Sequence, residues 1–173
     1  MKNKLFLIIL ILLTFSTVVS AQKITSSYTN LDDKSCKTLE SSSSGAGSYR
    51  GRCPGVAGYK LDLLEGDIRQ TINVIAPNKK TFELNFWSFY GGFSSVGQKA
   101  EWRMKGAKPI GLIVRFIVAN AEDSTKNTSY LMVTKITAKE ICVTDVVLPG
   151  KTQNEEAQKL ADAAGTKPCK AVE

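Results

Sequence analysis

Tyr59-Lys60-Leu61-Asp62-Leu63-Leu64-Glu65-Gly66-Asp67-Ile68-Arg69-Gln70-Thr71-Ile72-Asn73-Val74 is the stretch whose reading decides the fold class. Tyr59, Leu61 and Leu63 alternate with Lys60 and Asp62, the period of a half-buried strand. Ile68, Ile72 and Val74 alternate with Arg69, Thr71 and Asn73 in a second run. Glu65-Gly66-Asp67 between them is turn chemistry, so the two runs read as an antiparallel hairpin.

Downstream the same period recurs. Phe82, Leu84 and Phe86 alternate with Glu83 and Asn85 after a turn at Pro77-Asn78. Ala100, Trp102 and Met104 share one face, and Lys99, Glu101 and Arg103 the other. Residues 110–119 are apolar on both faces apart from Arg115, the mark of a central strand covered on both sides. Residues 130–136 and 141–148 form a further hairpin. Thr152 with Glu155 reads as a capping box, Ala157, Leu160, Ala161 and Ala164 fall on one helical face, and Gly165 supplies a stop. The expectation is an α+β fold: a single antiparallel sheet of about seven strands with a C-terminal helix packed on it, all within one domain over residues 22–173. Upstream, residues 22–49 are polar and include the serine-glycine tract 41–48, which reads as a flexible loop with Tyr28 and Leu31 docking on the core.

Composition narrows the chemistry. Hydrophobic residues are 43% and charged residues 23%, the balance of a folded globular chain. With no histidine, Ser-His-Asp and Cys-His catalysis, His-ligated zinc and an imidazole pH switch are excluded. The net charge of +7 comes from scattered lysines and arginines, which argues against nucleic acid as a partner. Lys2 and Lys4 precede an apolar run of about 15 residues that ends at Val19-Ser20-Ala21. That run is shorter than the roughly 20 residues of a membrane span, so residues 1–21 read as a signal peptide cut after Ala21, with no span left after cleavage. The protein is accordingly expected to be secreted or periplasmic. In that oxidising space Cys36, Cys53, Cys142 and Cys169 form two disulfides, for which three connectivities are formally open. The sequential pairing is chosen because Cys36 and Cys53 flank a flexible loop, while Cys169 follows a helix able to return to the strand carrying Cys142.

Several short motifs lie in a recognisable order. Cys53-Pro54-Gly55-Val56-Ala57-Gly58-Tyr59 is followed by Glu65-Gly66-Asp67-Ile68-Arg69, then Gly97 with Glu101-Trp102-Arg103, then Val133-Thr134-Lys135 ahead of Cys142. With an alanine-rich helix closing on a last cysteine, this order resembles an uncharacterised family of small secreted or periplasmic proteins of Gram-negative bacteria with two disulfides. The resemblance implies one domain in an extracytoplasmic space. It implies no activity, cofactor or partner.

Two segments compete for a functional role. Asp67 and Arg69 open one strand, and Glu101 and Arg103 share a face of another; arginine forks there suit carboxylate or phosphate groups. The structural alternative, an Asp67 turn with a cross-strand Arg69–Glu101 ion pair, is favoured. In residues 87–97, four aromatics sit beside three glycines and three serines, an arrangement that presents aromatic side chains on a loop. Against it stands a core role for Trp87, Phe89 and Phe93. Asp62, Glu65, Asp67 and Glu101 are candidate acids for glycoside hydrolysis, yet serve equally as strand faces and turns. The only Ser-x-x-Lys spacing, Ser20 to Lys23, spans the cleavage site. Asp32-Asp33 lacks the spacing of a calcium loop, and Asn127-Thr128-Ser129 carries no functional weight.

The reading that best fits is a non-enzymatic secreted or periplasmic binding or interaction module, with Tyr90, Phe93, Arg103, Arg69 and Glu101 as contact residues. No catalytic residue, metal site or cofactor is assigned, and a monomer is expected. The expected partner is an envelope protein or polysaccharide. The alternatives are a small carboxylate-dependent hydrolase acting on an envelope polymer and a purely structural envelope protein.

Overall fold

A computed structural model describes residues 22–123 and 125–171. The leader read at 1–21 lies outside the described residues. Most of the described residues are in sheet: β1 (Ile24–Asn30), β2 (Lys37–Ser42), β3 (Ser48–Pro54), β4 (Lys60–Gly66), β5 (Arg69–Ile75), β6 (Thr81–Glu83), β7 (Ser94–Lys105), β8 (Lys108–Ala119), β9 (Asn127–Ile136) and β10 (Ile141–Val147). Among the described residues one α-helix, α1 (Gln153–Asp162), follows the last strand.

Ten strands among the described residues correct the expected seven, and the additional ones are β1, β2 and β3, in and just after the stretch read as loop. Every residue of β2 is exposed, and β1 is only half covered, so neither carries an apolar period to read. Their order comes from backbone pairing with β7 and β3, which sequence does not display. The serine-glycine loop shrinks to the turn 43–47, where Gly45 and Gly47 take positive φ. Leu31 is buried as expected, but Tyr28 is 56% exposed and does not dock.

The strands form two antiparallel halves, β2-β3-β4-β5-β6 and β1-β7-β8-β9-β10. One parallel pairing, Arg69 with Ser94, joins β5 to β7. The apolar faces of the halves enclose a common core: Leu61, Leu63, Ile72 and Val74 from one, and Trp102, Leu112, Val114 and Phe116 from the other. Phe86 meets Phe116 edge-on with centroids 5.5 Å apart, and Tyr59 lies 6.1 Å from Trp102. Phe86 is not on the third predicted strand but opens the 3-10 turn Phe86–Ser88 behind it.

The second half has a second covered face. Ala157 and Ala161 of α1 pack on Ile113, Leu131, Val133 and Val147. β8 is therefore apolar on both sides, as its sequence predicted. Small residues let the helix approach: a Cβ added at Gly111 would lie 3.0 Å from the Ala161 carbonyl oxygen. Thr152 is the N-cap, but its side chain makes no capping hydrogen bond, so the predicted capping box is not closed. Gly165 sits without positive φ in the 3-10 turn Ala164–Thr166, beyond the helix end at Asp162. The α-helix ends before the chain reaches that glycine.

The cysteines pair sequentially, Cys36 with Cys53 and Cys142 with Cys169. The first bridge pins the β1–β2 connection to β3, and the second returns the segment after α1 to β10. No helix among the described residues is long and apolar enough to cross a membrane.

Candidate functional site

The five predicted contact residues fall into two groups. Arg69 and Phe93 meet at one end of the sheet, with Tyr90 close by on the same loop. Glu101 and Arg103 lie together beneath α1. The expected Arg69–Glu101 ion pair does not form, because β5 pairs with β7 only through Arg69 and Ser94, seven residues before Glu101.

The loop end is built on the β4–β5 turn. Gly66 pairs with Arg69, leaving Asp67 and Ile68 as the two loop residues. Their φ values of 51° and 57° are the signature of a type I′ turn, whose usual occupants are Asn-Gly or Asp-Gly. Ile68 is therefore not on the strand as its alternation implied; it projects from the turn and is 57% exposed. The Ser94 amide donates to the Ile68 carbonyl at 3.0 Å, and the Ala119 amide to the Phe93 carbonyl at 2.9 Å. These bonds hold the turn, the aromatic loop and the end of β8 together. Phe93 is 48% exposed, and the Arg69 guanidinium sits 5.9 Å over its ring, within cation–π range. Ile68, Phe93, Ile117 and Ala119 line a shallow depression here.

The remaining aromatics of the loop divide between core and rim. Phe89 and Tyr90 pack on the core, and Trp87 is half-buried. The Tyr90 ring stacks on Tyr130 with centroids 3.9 Å apart. Burial, and secondarily the facing Tyr130, push the Tyr90 phenol above its ordinary pKa. Tyr90 is thus as much a support as a contact, and Phe93 is the presented ring.

Beneath α1, Arg103 is buried and forks onto Asp162 at 2.6 and 2.9 Å. The Asp162 hydrogen bonds chiefly raise its already high pKa. Its other nitrogen reaches Ser26 and, at 3.4 Å, Glu101. Glu101 also accepts from Ser26 Oγ at 2.5 Å and Gln158 Nε2 at 2.8 Å. This network ties β1, β7 and α1 together, so Arg103 is a structural anchor. Beside it opens a depression of about 240 Å³ lined by Tyr28, Lys99, Glu101, Ile113, Arg115, Leu131, Asn154 and Gln158.

The other candidate acids are also engaged. Asp62 is fully buried and accepts from Arg50 at 3.0 and 2.8 Å and from Arg52 at 2.7 and 2.8 Å. Burial alone would raise its pKa, but the two arginines outweigh that and hold it below the ordinary aspartate value. Glu65 accepts from Gln70 at 2.6 Å, and Asp67 pairs with Arg69. Among the described residues, Glu140, Cys142 and Cys169 come close enough together to suggest a metal, but both sulfurs are spent in the disulfide.

Arg115 is the residue that sequence reasoning passed over. It is the single charge in the apolar run of β8, and that isolation was the available signal. No protein-family model matches this chain, nor does any curated protein or solved structure.

Proposed function

We propose that the protein is a non-enzymatic binding module of an oxidising, extracytoplasmic compartment, and that it engages an envelope protein through the loop end formed by Ile68, Arg69 and Phe93. The observation that carries this reading is Ile68. A β-branched residue in the left-handed region costs about 1–2 kcal/mol, and burial normally offsets such a cost. Here the side chain is 57% exposed, so it gains little apolar burial within the monomer. Exposed Phe93 stands beside it with Arg69 over its ring, and aromatic and arginine side chains are enriched in protein–protein contact surfaces. The two disulfides support the compartment.

Ile68→Gly tests the reading, because it relieves the turn and removes the contact together. Relative to wild type it is expected to raise stability by about 1 kcal/mol while weakening retention of an envelope partner at least about tenfold. Phe93→Ala is expected to weaken retention similarly without lowering the melting temperature. Deleting residues 42–46 should leave retention within about threefold. Retention unchanged in both loop-end variants would overturn the assignment of this surface.

A further inference from the structure

We infer that the depression beside α1 is a binding site for one acidic sugar unit, a pyranose bearing a carboxylate. It lies on the outer face of the second half-sheet, where Ile113, Arg115 and Ile117 alternate with the core-facing Leu112, Val114 and Phe116. The loop-end surface begins two residues along the same strand, at Ile117. The sugar pocket is a separate site and does not depend on that surface.

Arg115 is held in place for a ligand it does not find in the chain. Its guanidinium donates to Ser129 Oγ at 2.7 Å, Gln153 Oε1 at 3.1 Å and Asn154 Oδ1 at 3.3 Å, all neutral acceptors. It has no carboxylate partner among the described residues, and neither does Lys99 across the depression. Glu101 faces the same space, but it shares Arg103 with Asp162, so the pocket and its supports retain one positive charge in excess. A half-buried guanidinium without a counter-charge is the group that a carboxylate satisfies best, because the fork accepts both oxygens.

The backbone is shaped around this side chain. Val96 pairs with Phe116 and Ala100 with Val114, so residues 97–99 of β7 bulge opposite Arg115. Bulges of this kind re-aim side chains at binding sites. Gly97 in the bulge has no Cβ, and one placed there would stand 2.8 Å from the Arg115 Cβ. Lys99, at the other end of the bulge, lines the pocket.

The remaining walls suit a sugar better than a bare anion. Tyr28 pairs with Glu101 across β1 and β7, and its exposed ring lines the pocket as a platform for a pyranose face. Asn154 and Gln158 on α1, together with Glu101, offer amide and carboxylate groups to hydroxyls, and Ile113 and Leu131 contribute an apolar floor. A volume of about 240 Å³ is below the usual range for drug-sized ligands and matches a single ring.

Calorimetric titration of the protein with glucuronate, glucose and inorganic phosphate tests the inference. Glucuronate is expected to bind at least about tenfold more tightly than glucose or phosphate. Lys99→Gln, Arg115→Gln and Tyr28→Ala should each weaken glucuronate binding at least about fivefold, and Phe93→Ala should leave it unchanged. Arg115 also anchors α1, so Lys99→Gln and Tyr28→Ala, both at exposed side chains, decide the matter if Arg115→Gln fails to fold. A trimer of the same acid is expected to bind within about threefold of the single unit. Equal binding of glucose would overturn the role of Arg115 and Lys99, and equal binding of phosphate would overturn the sugar. Glucuronate affinity indifferent to Lys99→Gln and Tyr28→Ala, or binding of the trimer alone, would overturn the site.

Discussion

At the scale of single residues, Asp62 and Ile68 represent opposite solutions to an unfavourable position. Asp62 buries a charge on the face of β4 opposite the core-facing Leu61 and Leu63 and is satisfied there by two arginine forks. Asp62→Asn keeps the shape and removes the charge, and is expected to cost about 2 kcal/mol in denaturant unfolding. The cost stays below that of a fully buried pair because Arg50 and Arg52 remain about one-third exposed to water. The pH dependence has a definite sign. The folded pKa lies below the ordinary 3.8, so the unfolded chain takes up the proton first on acidification. The stabilisation is complete well above 3.8 and is lost as pH falls through the folded pKa. Unfolding curves collected from pH 6 down to about 2 should show wild type losing this increment and Asp62→Asn lacking it. Ile68 has no internal compensation of this kind, and that exposure is the observation behind the proposed contact surface. Its alternation with Ile72 and Val74 imitated a strand, and only the two positive φ values of the turn distinguish it.

At the scale of elements, the contact between α1 and the sheet depends on small residues. Gly111 and Ala161 meet at a distance where an added methyl already presses on backbone. Gly111→Val is therefore expected to lift α1 and cost about 1–3 kcal/mol, as overpacking does. Gly66→Ala, where an added Cβ meets nothing within 4 Å, should stay within about 0.5 kcal/mol of wild type by the same measurement. The helix was legible because Ala157 and Ala161 repeat at the helical period. Its cap was not, since Thr152 and Glu155 are the right residue types at the right spacing but the hydroxyl makes no capping bond. β4, β5, β8, β9 and β10 were legible for a similar reason: each buries alternate or successive apolar side chains. β2 buries none, and its existence rests on backbone hydrogen bonds to β3 that any sequence of suitable extension makes.

At the scale of the whole molecule, two covalent ties close loops with sequence separations of 17 and 27 residues. Loop entropy assigns each about 3 kcal/mol. Removing the second by Cys142→Ser with Cys169→Ser is expected to lower stability by about that amount. Hydrogen exchange should then accelerate first at the Lys170 amide, which donates to the Val143 carbonyl at 2.8 Å, while β4 and β5 remain protected. Equal acceleration throughout the molecule would show that the bridge does more than tether the C-terminal segment.

Hydrophobic period alone determined a sheet-rich α+β chain and a terminal helix against that sheet, and cysteine placement favoured the sequential disulfides among three connectivities, which the structure bears out. These are local or nearly local properties: one side chain in two or in four turns to the core, and each bridge joins segments already close along the chain. The tertiary structure alone decided the number of strands, the splitting of the sheet into two packed halves, and which charges meet. Asp62 found Arg50 and Arg52 on a neighbouring strand, Arg103 found Asp162 on a distant helix, and Arg115 found only neutral acceptors. An ion pair depends on strand register and on which face a bulge turns outward. Both are set by packing over the whole fold rather than by the residues adjacent to the charge.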